Sequence, residues 1–420
     1  MHQKSFIRFL TKTSIAASVI GMLALSACGA SSASVNKAIK IGTDLPVSGT
    51  DAGVAKPTEN GAVLAFEQNA NLGNGYTLTS VLKNDEGASG ADPQVGASNI
   101  RALIADAQVV AMVGPFNSGV AKAEIPIANN ATFPMISPTN TNPGLTKQEF
   151  AVANKIDFNL LHPAGKPSSY FRVPATDEVQ GKANADIALG APINAKVAFV
   201  VDDTSTYGVG LAAQFTKEFT AKGGKVVDTA EITATQSATF GSLATKILSD
   251  KPDVVFYGGV TSQGGAQLKK AVADAGAPQL PFGGGDGIAD DPEWLKTATP
   301  AGALNTFGTV PAPDLSGFTS GAQTKFISDY KTRFGSDPLP YSAQAYDCAM
   351  IEIKAIKNVI AAGKDVTRAN VRDAIQNISY TGLTGTITFD ANGDNSGQKV
   401  FSVYKVDATG AWVFVTNYQG

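Results

Sequence analysis

A run of three glycines, Gly283-Gly284-Gly285, delivers Asp286, an acid placed where a ligand or another backbone can come close. The same glycines also suit a plain turn at a strand end. A second group of polar residues lies far upstream. Asn117 and Ser118 stand where a helix begins, because the apolar positions from Val120 to Asn129 recur at helical spacing. The loop Ser137-Pro138-Thr139-Asn140-Thr141 follows a short apolar run, Phe133 to Ile136. Hydroxyls, free backbone N–H groups and a helix N-terminus favour an anion such as a carboxylate. Ordinary capping and turn chemistry is the competing account of these residues.

These residues need elements to carry them. Val109 to Val113 has the length and β-branched content of a buried parallel strand, and Gly114-Pro115 ends it. With the strand over 133–136, it would bring both polar groups to one sheet edge. Ligands of open α/β sheets bind at that edge, outside the carboxyl ends of the strands. The rest of the chain alternates in the same way. Strands are expected at 39–44, 76–84, 196–201, 225–231, 254–257 and 303–309, with helices at about 57–71, 92–106, 178–189, 207–222, 240–250 and 262–275. The pattern restarts near residue 173, which predicts two lobes of similar plan. Long helices at 317–334 and 341–362 and a shorter one at 368–376 follow. Antiparallel strands at 386–389, 400–406 and 412–416 come last.

Catalytic and metal chemistry find little support. Past the leader the chain holds a single histidine, His162, in a Pro-rich irregular segment, so a His-based triad or a multi-His metal site is nearly excluded, and no metal or cofactor is expected. No Gly-x-Ser-x-Gly, phosphate-loop or dinucleotide fingerprint occurs. The run from Asp390 to Ser396 alternates acids and polar residues like a calcium loop. It carries Asn395 where the glycine and Phe401 where the last glutamate belong, so a hairpin turn is the expectation.

Residues 1–27 read as an export leader, with Lys4, Arg8 and Lys12 ahead of the apolar run Ile15 to Leu25. Leu25-Ser26-Ala27-Cys28 resembles the lipobox of bacterial lipoproteins, which implies lipid on Cys28 and a flexible tether over 28–36. Removing the leader takes away three bases and no acid, so the net charge moves from −3 to −6. A mildly acidic body with only 16% charged residues is a poor nucleic-acid binder. Its length suits two lobes better than one core. Cys348, in an apolar run with no partner cysteine, is expected in the core.

An ordered set of short motifs then carries a resemblance. Ile39-Lys-Ile-Gly42, Pro46-Val-Ser-Gly49, Val113-Gly-Pro115, Ile136-Ser-Pro138, Tyr170-Phe-Arg172, Asp177…Gln180-Gly181, Asp202…Tyr207-Gly208, Val255-Phe-Tyr-Gly-Gly259 and Ala345-Tyr-Asp347 occur in sequence. Over about residues 39–415 the chain resembles the leucine/isoleucine/valine-binding type of extracytoplasmic solute receptor. The resemblance implies an α/β, type I periplasmic-binding-protein fold. Two Rossmann-like lobes would be joined by three crossovers near 172, 310 and 383, with a ligand cleft between them. Lobe 1 would comprise 37–172 plus 311–383, and lobe 2 would comprise 173–310 plus 384–420. Ser118, Thr139, Asn140 and Thr141 would hold the ligand's carboxylate and Asp286 its ammonium. Tyr207 would close from the second lobe, with Thr261 and Tyr341 against the ligand's side chain. Two positions depart from the family pattern: Val54 and Val260-Thr261 replace aromatics. Residues 144–169 have no counterpart. The implied function is a monomeric, lipid-anchored receptor in the bacterial cell envelope. It would deliver an amino acid, or a related small carboxylate or amide, to the membrane permease of an ABC importer. A sensory receptor of the same fold is the alternative. An exported α/β hydrolase is the rival from another class.

Overall fold

The computed structural model describes residues 37–397 and 399–419. The expected leader, Cys28 and the tether lie outside the described residues.

Two sheets organise the chain. The first holds six strands in the order 71–73, 76–83, 37–44, 109–113, 135–137 and 170–172, and is parallel except for the hairpin pair at its edge. The second holds seven, in the order 225–231, 197–202, 254–258, 282–284, 306–310, 400–406 and 412–419. Its first five strands are parallel and its last two antiparallel. Val197–Asp202 shows why such strands sit centrally. Phe199 and Val201 face helices 240–250 and 265–274, while Ala198 and Val200 face helices 177–189 and 206–221. An apolar residue at every position therefore buries both faces.

The first sheet is covered in the same way. Helices Ala52–Gln68, Pro340–Ala361 and Arg368–Gln376 pack on one face through Phe66, Ile353, Ile356, Val371 and Ile375. Pro93–Ala105 and Ser118–Ala131 cover the other through Ile100, Leu103, Ala121 and Ile125. Cys348 is fully buried in the first of these cores.

Three sequence expectations need correction. The first helix starts at Ala52 rather than near Pro57, and Pro57 lies inside it, where having no N–H it forgoes one intrahelical hydrogen bond. The stretch read as irregular, 144–169, contains two short helices, Gln148–Ala151 and Phe158–Leu161. Leu145, Ala151, Ile156 and Leu161 from this segment extend the core beneath helix 118–131. The chain also leaves the first sheet's core later than 383. Ile387 and Phe389 pack in that core, and Asp394 bridges to Arg172, so residues 384–397 stay with the first sheet.

The return from Asp394 is fixed by charge. Arg172 is fully buried; its Nε donates to Asp394 Oδ1 at 2.7 Å and its Nη1 to the Asn142 carbonyl at 2.6 Å. The run from Asp390 to Ser396 is a turn, in which Asp390 Oδ1 accepts from the Asn392 and Asp394 amides. Among the described residues no group of acids, histidines or cysteines could hold a metal, and no helix is long and apolar enough to cross a membrane.

Candidate functional site

Asp286 follows the strand Phe282–Gly284, and its carboxylate accepts three side-chain hydrogen bonds. Oδ1 accepts from the Tyr207 hydroxyl and from Gln180 Nε2, both at 2.9 Å, and Oδ2 accepts from the Tyr341 hydroxyl at 2.7 Å. The glycine run serves this arrangement directly. A Cβ on Gly285 would run into the Tyr207 hydroxyl and lie 3.0 Å from Gln180 Nε2, so only glycine lets both donors reach the acid. Burial raises the Asp286 carboxyl above its ordinary range, while the hydroxyls of Tyr341 and Tyr207 and the Gln180 amide pull it back down.

Tyr207 and Gln180 come from helices that pack on the second sheet, Thr206–Ala221 and Asp177–Leu189. Tyr341 comes from Pro340–Ala361, which packs on the first. The Tyr341–Asp286 hydrogen bond therefore spans the two sheets. Behind it, Asp177 opens its helix, fully buried and beside Thr141. Burial, then the Asp286 charge, push its carboxyl well up.

A cavity of about 650 Å³ lies at the carboxyl ends of strands from both sheets. Phe116, Ser118 and Thr139 line it from the first sheet, and Tyr207, Thr261 and Asp286 from the second. Asn117 takes the N-cap position of helix Ser118–Ala131, and Ser118 is its first residue. The Asn117 side chain caps nothing, and its Oδ1 is buried without a partner. The Thr139 hydroxyl donates to the Phe116 carbonyl at 2.6 Å, which leaves its oxygen free to accept.

Five expected site residues, Ser118, Thr139, Tyr207, Thr261 and Asp286, therefore meet around one cavity. The other three stand behind its wall. Asn140 is tied by its Nδ2 to the Phe116 carbonyl at 2.6 Å and by its Oδ1 to the Tyr170 hydroxyl at 3.0 Å. Thr141 is buried beside Asp177. Tyr341 packs edge-on against Phe116, with centroids 6.1 Å apart, and reaches the cavity only through Asp286. The loop N–H groups expected to be free are also taken: those of Thr139 and Asn140 donate to Ser137 Oγ at 3.2 and 2.9 Å. Sequence reasoning passed over Gln180, although its Asp177…Gln180-Gly181 motif at a helix start was there to be read. His162 is placed away from this chemistry, with its Nε2 2.7 Å from the Leu145 carbonyl.

Two covered parallel sheets with a ligand-sized cavity at the strand ends of both define a two-lobed solute-binding protein. A sequence profile of the periplasmic binding protein family matches residues 38–411, and the chain belongs to that family. It is 28% identical over 365 residues to Leu/Ile/Val-binding protein homolog 2 of Brucella abortus, covering 85% of this chain and 88% of that one. It is 27% identical over 382 residues to the Leu/Ile/Val-binding protein BraC3 of Rhizobium johnstonii, covering 88% and 92%. Among solved structures, the leucine-binding protein LivK of Thermotoga maritima superposes with a TM-score of 0.75 at 25% identity, over 90% of this chain and 98% of that one.

Proposed function

We propose that this chain is the lipid-anchored receptor of a bacterial ABC importer, which holds an amino acid between its lobes and hands it to the membrane permease. One observation carries the reading: a partly buried carboxylate, Asp286, is oriented by three neutral donors and faces the same cavity as the start of helix 118–131. An ammonium needs an anion when it leaves water. A carboxylate needs only donors, and Ser118 with the first N–H groups of a helix supplies them. In this reading Thr139 accepts from the ammonium, Tyr207 and Thr261 close from the second lobe, and Tyr341 holds Asp286 in place. The kinship with Leu/Ile/Val-binding proteins supports an amino-acid ligand and an importer as partner. Asn140 and Thr141 shape the loop from behind.

A thermal-shift screen of the twenty amino acids, their amides and short carboxylates tests the proposal. A true ligand at 100 times its Kd adds about 2.7 kcal/mol of stability. A screen in which amino acids move nothing while simple carboxylates do would overturn the assignment of Asp286. For the anchor, intact mass of protein made in a bacterial host is expected to show an acylated N-terminus at Cys28. An unmodified product cleaved elsewhere would remove the lipid from the reading.

A further inference from the structure

Residues 144–169, which have no counterpart in the family pattern, do more than extend a core. Leu145, Ala151, Ile156 and Leu161 fasten the segment beneath helix 118–131, so it moves with the first sheet. Its outer side meets elements of the second sheet. Lys147 pairs with Glu178 at the start of helix 177–189, and Lys155 lies 3.6 Å from Glu231. The ammonium of Lys217, on helix 206–221, stands 6.0 Å from the centroid of the Phe150 ring. The Lys155 and Lys217 contacts rest on exposed cations and add little.

The buried contact is of another kind. Asn142, at the head of the segment and fully buried, is held twice from its own side. Its Oδ1 accepts from the Gly144 amide at 2.8 Å and its carbonyl from Arg172 Nη1 at 2.6 Å. Its Nδ2 points across to the other lobe and donates to the Thr206 carbonyl at 2.6 Å, one residue before Tyr207. Helix 206–221 meets this side chain with a glycine. A Cβ on Gly210 would run into Asn142 Nδ2 and stand 3.1 Å from Asn154 Oδ1, so the helix can lie on the segment only while residue 210 has no side chain. Asn154 is 1% exposed, and among the described residues neither its Oδ1 nor its Nδ2 finds a hydrogen-bond partner. A buried amide without partners costs free energy that water would return if the helix lifted away.

We infer that residues 142–155 are a latch that sets the balance between closed and open lobes before any ligand arrives. Asn142 holds helix 206–221, and with it the Tyr207 wall of the cavity, against the first lobe, while Asn154 opposes the same contact. Two contributions of opposite sign at one place make a balance rather than a weld. A hydrogen bond of ordinary net strength changes such a ratio by about fivefold, and an orphaned amide changes it by a similar factor the other way. Entry to the cavity follows the ratio, since closed lobes must part before a solute can enter. The inference concerns motion and not the identity of the ligand, so it stands or falls apart from the amino-acid reading.

Small-angle scattering of the whole chain, refolded from denaturant to strip any bound solute, reads the balance with no ligand added. Gly210→Ala is the decisive variant. Alanine suits a helix better than glycine, so an effect on the lobes comes from the new Cβ against Asn142 and not from a weakened helix. It should shift the closed-to-open ratio about fivefold toward open and enlarge the radius of gyration. Asn142→Asp keeps an acceptor for the Gly144 amide but loses the donor to Thr206, and should open the chain in the same way. Asn154→Ala removes both unpartnered atoms and should do the reverse, with a smaller radius. Circular dichroism should first show each variant folded, and Gly210→Ala carries the test should Asn142→Asp fail to fold. Wild-type scattering from folded Gly210→Ala would overturn the latch. A radius that is unchanged or larger in Asn154→Ala would overturn the opposing role of Asn154.

Discussion

Replacing Asp286 by alanine separates recognition from stability. The carboxylate accepts from Tyr207, Gln180 and Tyr341, so its removal first threatens three donors. One of them has another acceptor: Gln180 Nε2 also donates to the Thr309 carbonyl at 2.9 Å. The Tyr207 hydroxyl still accepts from the Gly287 amide at 3.2 Å, but its own O–H, like that of Tyr341, loses its acceptor, at about 1–3 kcal/mol each. The removal of a desolvated carboxyl offsets part of that cost. The melting temperature should therefore fall by only a few degrees. Affinity should move far more, because an amino acid's ammonium would then be buried unpaired, a loss of at least ~2 kcal/mol or about 30-fold. Asp286→Asn keeps the size and an acceptor for the hydroxyls but cannot neutralise a cation, so it should lose a similar factor. Because the Asp286 carboxyl is raised, it protonates at a higher pH than an ordinary aspartate. Wild-type affinity should fall as pH drops through that raised value, and Asp286→Asn should flatten the profile. Calorimetry on folded variants at several pH values checks all three outcomes. Wild-type affinity in Asp286→Ala would refute the ammonium assignment.

Four further outcomes follow from named contacts. Tyr341→Phe deletes the 2.7 Å bond that spans the two sheets and should weaken binding by about 1.5 kcal/mol, or roughly tenfold, with a larger radius of gyration in small-angle scattering of the ligand-loaded protein. Gly285→Ala pushes the Tyr207 hydroxyl and the Gln180 amide off Asp286 and should cost about tenfold in affinity by calorimetry. Arg172→Ala leaves Asp394 with only Lys147, 3.6 Å away, as a cationic partner and should destabilise by about 3 kcal/mol in urea unfolding. Stability should rise as pH falls from 8 to 5. Burial raises the Asp44 carboxyl from 3.8 to about 6, and burial followed by the Asp44 charge raises both Asp85 and Glu124. Acids raised in the folded state contribute stability that is full below their unfolded values and is lost as pH climbs through the folded ones. Asp44 alone accounts for roughly 1.4 kcal/mol over that range, and for roughly 3 kcal/mol only once the pH is below its ordinary value of 3.8. Asp394, lowered overall by the Arg172 charge against its own burial, acts in the opposite sense, and only below about pH 4. A melting temperature that is flat or rising toward pH 8 would contradict the burial of these acids.

The alternation of strands and helices was legible because apolar runs such as Val109–Val113 and Val254–Gly258 have no other stable use than a strand buried on both faces. Asp286 and Ser118 could also be read, since a glycine run and a helix start are local features. What could not be read was direction. Thr139, Asn140 and Thr141 are adjacent polar residues, yet Ser137 Oγ draws the loop's amides inward and only Thr139 is left on the cavity wall. Tyr341 matched a family position for side-chain contact, but its hydroxyl lies on Asp286 because the helix that carries it crosses from the other sheet. The extent of the first core past residue 383 was hidden for a similar reason: Ile387 and Phe389 alternate as any edge strand would, and only a partner across space shows which core they enter.

The interleaving of the two sheets also governs how the chain can fold as it is made. The second sheet is built from residues 197–310 and then waits for 400–406 and 412–419 to supply its last two strands. The first sheet has all its strands by residue 172, yet two of the three helices covering one of its faces, 340–361 and 368–376, come after the second sheet's parallel strands. A nascent chain stopped at residue 310 therefore carries one sheet with a half-covered apolar face and another with an open edge. Neither lobe can be released as a finished unit by a single cut in the polypeptide. Folding is thereby tied to completion of the chain, and the species most exposed to proteases and chaperones is the one that has its first three hundred residues but not its last hundred.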